Sequence, residues 1–244
     1  MKRITKQVKG NIVQLTIADS ERWYIKTENK IDIYVPSITW ICGHYPKGIA
    51  FYKWLANKGW NEAEAIKSAA ADKGSKIHQA IVNLIDGQEV LMEAKYPNDD
   101  GEVEELSVEE YEAIKSFADW HKEVKPKVLA REEVVFTKDY AGTIDLVCEI
   151  DEKLWLIDFK SGQYIWPEHE LQLSAYRHAW NTTQKKQISK TAILQLGYQR
   201  NKNKYKFTET EDKFKLFCAA RDIWQNETAG QEPLKKDLPL RIKL

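Results

Sequence analysis

An aspartate and a lysine two residues apart, Asp158 and Lys160, interrupt the apolar run LWLIDFKSG at residues 154–162. Leu154, Trp155, Leu156, Ile157 and Phe159 favour a strand and Ser161-Gly162 closes it, so both charges leave the same face. Burying either charge alone is unfavourable, so each needs a partner or a ligand. The preceding segment, AGTIDLVCEI, is joined to this one by Asp151-Glu152. A two-residue hairpin there pairs Ile150 with Lys153 and carries the register to Asp145 opposite Asp158. On that reading Ile144–Phe159, Leu146–Ile157 and Cys148–Trp155 form a core face. Thr143–Lys160, Asp145–Asp158 and Val147–Leu156 form the other. Carboxylates opposed across a ladder repel, and a hard divalent cation between them reverses the sign of the interaction. The spacing points to a metal site with an adjoining lysine. The plainer alternative is an ion pair of Lys160 with Asp158 or Asp145 at a sheet edge.

Two helical stretches carry further candidates. AADKGSKIHQAI sets His78 one turn after Gly74 on the same face, and ELQLSAYRHAW sets Gln172 and Tyr176 at i, i+4 just after the Asp158–Lys160 strand. Standing alone, each is a common surface or core pattern.

The elements that must hold these residues can be read from periodicity. Residues 1–36 read as short strands, NIVQLTIAD, RWYIKT and KIDIYVP, with a turn at Glu28-Asn29-Lys30. Pro36-Ser37 opens a helical region over SITWICGHY, KGIAFYKWLANKG and a long segment from Asn61 to about Asp86. Gly59 ends the second of these and Asn61 caps the third. An acidic loop, YPNDDGEVEEL, leads to a helix over about 107–124, with Ser107 and Glu110 as a capping box and Pro126 as its stop. Strands KVLAREEVVF, AGTIDLVCEI and KLWLIDFK follow, then a helix over about 167–181, strands TAILQLGY and KYKFTE, and a helix over about 211–226. The predicted organisation is a β extension at 1–36, an α/β domain at 37–230 and a basic tail at 231–244.

The 244 residues allow one large α/β domain with a substantial core, and 43% apolar with 30% charged residues is ordinary for a globular chain. Thirty-seven basic residues balance thirty-seven acidic ones, so a polyanionic partner must be met by a local patch rather than a global field. No run approaches the ~18 apolar residues of a membrane span, and the first residues have no signal-peptide pattern. Cys42, Cys148 and Cys218 are too few and too dispersed for a disulfide framework, zinc site or iron–sulfur cluster, which suggests a reducing, cytoplasmic setting.

Taken in order, G-S-x-x-H (74–78), G-T-I-D (142–145), I-D-F-K-S-G (157–162) and Q-L-x-x-Y (172–176) resemble the RecB-like branch of the PD-(D/E)XK nuclease superfamily, over roughly residues 37–200. The resemblance implies a restriction-endonuclease-like core: a central mixed β-sheet flanked by helices. It implies a metal-dependent DNA exonuclease using Mg²⁺ or Mn²⁺, similar in layout to phage exonucleases and the mitochondrial genome maintenance exonuclease. The chain lacks the four cysteines of the iron–sulfur relatives, so no iron–sulfur cluster is expected. His78, Asp145 and Asp158 then hold the metal with the Phe159 carbonyl as a further ligand, Lys160 serves the chemistry, and Gln172 and Tyr176 help hold DNA. A strand glutamate ahead of G-x-x-D is usual in the family and falls to Glu132 or Glu133. Glu132 is preferred, because it shares a face with Val128, Ala130, Val134 and Phe136, while Glu133 lies among Arg131 and Thr137. The implied partner is DNA, single-stranded or as duplex ends, with a single-strand-binding or recombination protein beside it. YQRNKNKYK (198–206), with Arg200, Lys202 and Lys204, interleaves aromatic and basic residues as a strand-tracking groove would. Lys122, Lys125, Lys127 and the tail's Lys235, Lys236 and Arg241 are weaker candidates. Trp40, Trp54, Trp60 and Trp166 are candidates for stacking bases. A structure-specific endonuclease or resolvase, and a catalytically silent DNA-binding recombination subunit, are the alternatives.

Overall fold

A computed structural model of the chain describes residues 4–17, 21–98, 102–229 and 231–233. Two tight turns set its frame. Asn29-Lys30 and Asp151-Glu152 each take positive φ at both positions (49° and 65°; 48° and 60°), the type I′ geometry whose twist matches that of the flanking strands. The first joins β3 (Arg22–Glu28) to β4 (Ile31–Pro36) in an antiparallel four-stranded sheet with β1 (Ile4–Lys9) and β2 (Ile12–Thr16).

The second turn joins β8 (Ala141–Ile150) to β9 (Lys153–Lys160). With β7 (Lys127–Phe136), β10 (Lys190–Leu196) and β11 (Tyr205–Glu209) they make a five-stranded sheet of order β11-β10-β9-β8-β7. β9 and β10 are parallel, connected through α5 (Pro167–Thr183), and the other neighbours are antiparallel. The sheet is therefore mixed.

Both faces of this sheet are covered, which is why β9 reads as a nearly continuous apolar run rather than an alternation. Leu156 packs on one side with Val147 and Ile193 against α1 (Ile38–Gly43), α5 and α6 (Phe214–Glu227), through Ile38, Ile41, Leu171 and Phe217. Ile157 and Phe159 pack on the other with Leu146, Cys148 and Leu194. There they meet α3 (Trp60–Ile85) through Ile77, Ala80 and Ile81, and α4 (Val108–Val124) through Phe117 and Trp120. Each of the isoleucine, leucine, valine and phenylalanine side chains among these contributes ~1.5–3 kcal/mol by leaving water. The architecture is the expected α/β class, a mixed central sheet between helical layers. The four-stranded sheet rests on its β7–β8 corner: Ile12, Tyr24 and Val35 pack with Ala141, Val134 and Phe136, and Ser37 bridges Ala141.

Several local expectations are corrected. β1 is a strand ahead of the first one anticipated. Within the supposed acidic loop, β5 (Lys95–Pro97) pairs with β6 (Val103–Glu105). Gly59 (φ 78°), not Asn61, is the N-cap of α3, since α3 starts at Trp60; α2 (Ile49–Lys58) ends against the same glycine. The Ser107–Glu110 capping box and the helix end at Val124 are as expected, with Lys125 as a left-handed cap directly before Pro126. The β8–β9 register is the one expected from Ile150–Lys153 to Leu146–Ile157, and the ladder stops there. Asp145 and Asp158 are not a ladder pair, and Ile144 packs with Val147 and Leu156 rather than with Phe159. The tail cations Lys235, Lys236 and Arg241 lie outside the described residues.

Candidate active site

The place where β8 and β9 part is also where the charged residues converge. Asp145 Oδ2 accepts a hydrogen bond from the backbone N–H of Phe159 at 2.7 Å, so a side chain takes the donor that the next rung of the ladder would have used. The carbonyl of the same residue, expected as a ligand, accepts from His78 Nε2 at 3.3 Å. A carbonyl oxygen can only accept, so Nε2 donates in that contact, and Nδ1 is turned toward the carboxylates. Nδ1 lies 3.5 Å from Asp145 Oδ1 and 3.9 Å from Glu132 Oε1.

His78 is delivered by the buried stripe of α3, and one turn of that helix is pinned by Lys76. The Lys76 ammonium is nearly buried, 2.9 Å from Glu110 Oε1 and 3.1 Å from Glu104 Oε2. Glu132 arrives by a different route. β7 carries a bulge between Val128 and Ala130, which adds a residue and switches faces. Val128 consequently packs against the α3–α4 layer and Ala130 against the α1–α5 layer, not on one face as expected. Arg131 and Glu133 keep their ladder partners Leu146 and Ile144, while Glu132 between them has φ 44°. Its neighbours are engaged elsewhere: Arg131 Nε donates to Asp86 Oδ1 at 2.6 Å and Glu133 pairs with Lys9. The structure thus puts Glu132, and not Glu133, beside His78.

Asp158 is engaged from the α5 side. The residue is 1% exposed; Oδ1 accepts from Gln172 Nε2 at 3.3 Å, and Lys160 Nζ lies 2.6 Å from Oδ2. This close ion pair is what holds Oδ2. Gln172 Nε2 also donates to the Tyr176 hydroxyl at 3.0 Å. The Tyr176 ring lies flush on Gly142, where a Cβ would collide with ring carbon Cε1. The glycine of G-T-I-D is thereby explained by packing. The next residue, Thr143, meets the Tyr24 hydroxyl of the N-terminal sheet at 3.0 Å.

Electrostatics follow from burial. Burial pushes the Asp158 carboxyl above its ordinary pKa against the pull of Lys160, and Asp145 pushes it the same way. Burial raises Asp145 too, with Glu132 adding and His78, Lys160 and the Phe159 N–H opposing. For Lys160, burial acts to lower the pKa, but Asp158 and Asp145 outweigh it and hold the ammonium above the usual lysine value. His169, which belongs to none of the motifs singled out above, is pushed down to about 4 by burial and by Lys160; its Nδ1 accepts from the Trp166 N–H at 3.3 Å. It precedes Gln172 by three residues and Tyr176 by seven, the spacing of one helix face, so helical periodicity alone could have found it.

The donors suit a hard divalent cation. Ligand atoms of His78, Glu132 and Asp145 all lie within 4.8 Å of one another. The set is two carboxylates and an imidazole nitrogen, with the buried Asp158 carboxylate close by in the chain. Such N/O chemistry fits Mg²⁺ or Mn²⁺.

The candidate DNA contacts divide by position. Gln195 at the end of β10 is the neighbour of Lys160, so the loop from β10 to β11 leaves the sheet at the site's end. It exposes Arg200 and Lys202, while Lys204 is half-buried and donates to Gln199 Oε1 at 2.8 Å. Lys127, 3.9 Å from Glu149, lies at the other end of the sheet beside the Asp151-Glu152 turn, and Lys125 serves as the α4 cap. Trp40 packs against Trp23 and Trp224 and is structural, whereas Trp54, Trp60 and Trp166 are exposed. No helix among the described residues is long and apolar enough to cross a membrane.

No curated protein matches the chain. The family model of the PD-(D/E)XK nuclease superfamily, by contrast, matches residues 50–236, a span that takes in His78, Glu132, Asp145, Asp158, Lys160, Gln172 and Tyr176. With well over half of its length matched, the chain belongs to the PD-(D/E)XK nuclease superfamily.

Proposed function

We propose that the protein is a metal-dependent exonuclease that hydrolyses phosphodiester bonds at DNA ends, in replication, recombination or repair. The observation that carries this reading is the meeting of two groups at one peptide. His78 and Asp145, with Glu132 beside them, engage the N–H and carbonyl of Phe159, and Asp158 with Lys160 flank that residue in sequence. His78, Glu132, Asp145 and Asp158 would hold Mg²⁺ or Mn²⁺, which when bound supplies Lewis acidity and a more acidic water. Lys160, held as an ammonium by its two carboxylates, is suited to orienting water and stabilising charge on the phosphate, not to taking up a proton. Gln172 and Tyr176 position Asp158 from α5. Preference for an end over an internal bond rests on the likeness of the motif string to the RecB-like branch. The free cysteines support a reducing, cytoplasmic setting.

End-labelled linear DNA and covalently closed circular DNA, each incubated with Mg²⁺, Mn²⁺ or EDTA, provide the test. Linear DNA should be degraded from its ends with either metal, the circle should survive, and EDTA or Asp158→Asn should stop the reaction. A cut circle would make the protein an endonuclease. An intact linear substrate under all metal conditions would make it a DNA-binding subunit.

A further inference from the structure

The six residues that follow Lys160 form a rigid loop with an unusual surface. Gln195, itself 1% exposed, donates through Nε2 to the Gly162 carbonyl at 3.0 Å. Gln163 Nε2 donates to the Gly197 carbonyl at 3.1 Å, and Gln163 Oε1 accepts from the Gln199 N–H at 3.0 Å. The Trp166 N–H closes the segment on His169. These bonds fasten the loop to β10 and to the start of the β10–β11 connection.

Within this fixed backbone the side chains alternate against ordinary hydrophobic sorting. Ile165 packs into the core, while Tyr164 and Trp166 on either side of it are 60% and 54% exposed. Their rings sit 6.3 Å apart, and the Arg200 guanidinium lies 5.1 Å from the Tyr164 ring centre. Two exposed aromatics add little to folding. Aromatic faces beside a guanidinium, four to six residues from a candidate catalytic lysine, match what an unpaired base beside a phosphate requires: a π-face for the base and a cation for the backbone.

We infer that Tyr164, Trp166 and Arg200 form a stacking platform for an unpaired nucleotide next to the scissile phosphate. They would make the enzyme selective for single-stranded or frayed DNA. The inference rests on the proposed action on DNA but not on cleavage, and its test is therefore a binding measurement. Bases inside a duplex are already stacked on both faces, so the platform gains little from an intact duplex beyond its terminal pairs.

Fluorescence anisotropy of the full chain with a labelled single-stranded oligonucleotide and with a blunt linear duplex that has no unpaired bases, both in EDTA, separates the possibilities. Tyr164→Ala and Trp166→Ala should each weaken single-strand binding about tenfold and leave duplex binding unchanged. Tyr164→Phe and Trp166→Phe should restore most of the affinity, and the unchanged duplex binding of the alanine variants excludes a folding defect. Single-strand binding that is unchanged in the alanine variants, or absent in the wild type, would overturn the platform, as would equal weakening on both substrates. Parallel incubation of the wild type with Mn²⁺ keeps the two ideas apart. Binding with the expected weakening in the variants but no degradation would refute the nuclease reading alone, and degradation with unchanged binding in the variants would refute the platform alone.

Discussion

Asp145 is largely but not fully buried at the mouth of two strands, its carboxyl raised above the ordinary aspartate pKa chiefly by desolvation, while Glu132 adds repulsion. The sign of the resulting pH dependence is fixed by linkage. A carboxyl whose folded pKa exceeds its unfolded value, 3.8 here, favours the fold below that value and loses this contribution as pH rises through the folded pKa. At neutral pH the metal-free fold is therefore penalised for the ionised form of Asp145, a penalty that a divalent cation would offset. Asp145→Asn retains an amide oxygen to accept the Phe159 N–H and removes the charge. In EDTA at pH 7 the variant should melt higher than the wild type, by the few degrees that ~1 kcal/mol represents at this chain length. Its advantage should vanish toward pH 4, and the rise in Tm produced by Mn²⁺ in the wild type should be absent. A lower Tm in EDTA together with an intact Mn²⁺ response would show that Asp145 serves structure and not metal.

At the scale of the element, the site depends on two departures from regular β structure. The β8–β9 ladder ends at Leu146–Ile157, and β7 holds Glu132 at φ 44° after its bulge. Positive φ is unfavourable for any residue with a Cβ, by ~1–2 kcal/mol, and glycine escapes it. Glu132→Gly should consequently be more stable than Glu132→Ala, by ~1 kcal/mol in urea unfolding of the metal-free protein. Both should lose the metal response equally, since neither has a carboxylate. Equal stability of the two would mean that the backbone relaxes out of the left-handed region at no expense. These departures also mark what was legible in the sequence. The hairpin turn, its register and the order of strands and helices follow from turn residues and apolar periodicity, which are local. The bulge leaves no such trace in KVLAREEVVF, so the assignment of Val128 and Ala130 to one face failed. The end of the ladder was equally hidden, because Asp145 captures the Phe159 N–H through tertiary geometry. The short β5–β6 pair was masked by an acidic segment whose composition reads as a loop. His78, Asp145, Asp158 and Lys160 could be picked out as candidates because their motifs are short and ordered along the chain. Their meeting at one site was implied by the family resemblance, but not that Asp145 and His78 would take the N–H and the carbonyl of Phe159.

For the whole molecule, formal charge is zero, with thirty-seven basic and thirty-seven acidic residues, so DNA is not drawn in by a net field. The site itself gathers carboxylates, and an approaching polyanion must be held by cations placed close by. The sheet's directions decide which cations qualify. Lys160 at the end of β9 and Gln195 near the end of parallel β10 are neighbours, so the β10–β11 loop projects from the same end as the site, and Lys127 lies at the opposite one. The loop is anchored at both margins, by Tyr198 N–H to the Lys204 carbonyl at 2.7 Å and by Asn201 Nδ2 to the Tyr205 carbonyl at 2.7 Å. Its charges are therefore presented from an ordered backbone. Replacing Arg200, Lys202 and Lys204 together with alanine should weaken DNA binding and flatten its salt dependence, by about 0.7–0.9 in log–log slope for each phosphate that is no longer neutralised. The Mn²⁺-induced rise in Tm should be unchanged, because none of the three belongs to the carboxylate–imidazole cluster. Titrations from low to moderate salt check the slope directly. A triple variant that keeps both the affinity and the slope of the wild type would assign phosphate binding to another surface, and the loop would then be a solvated turn beside the site.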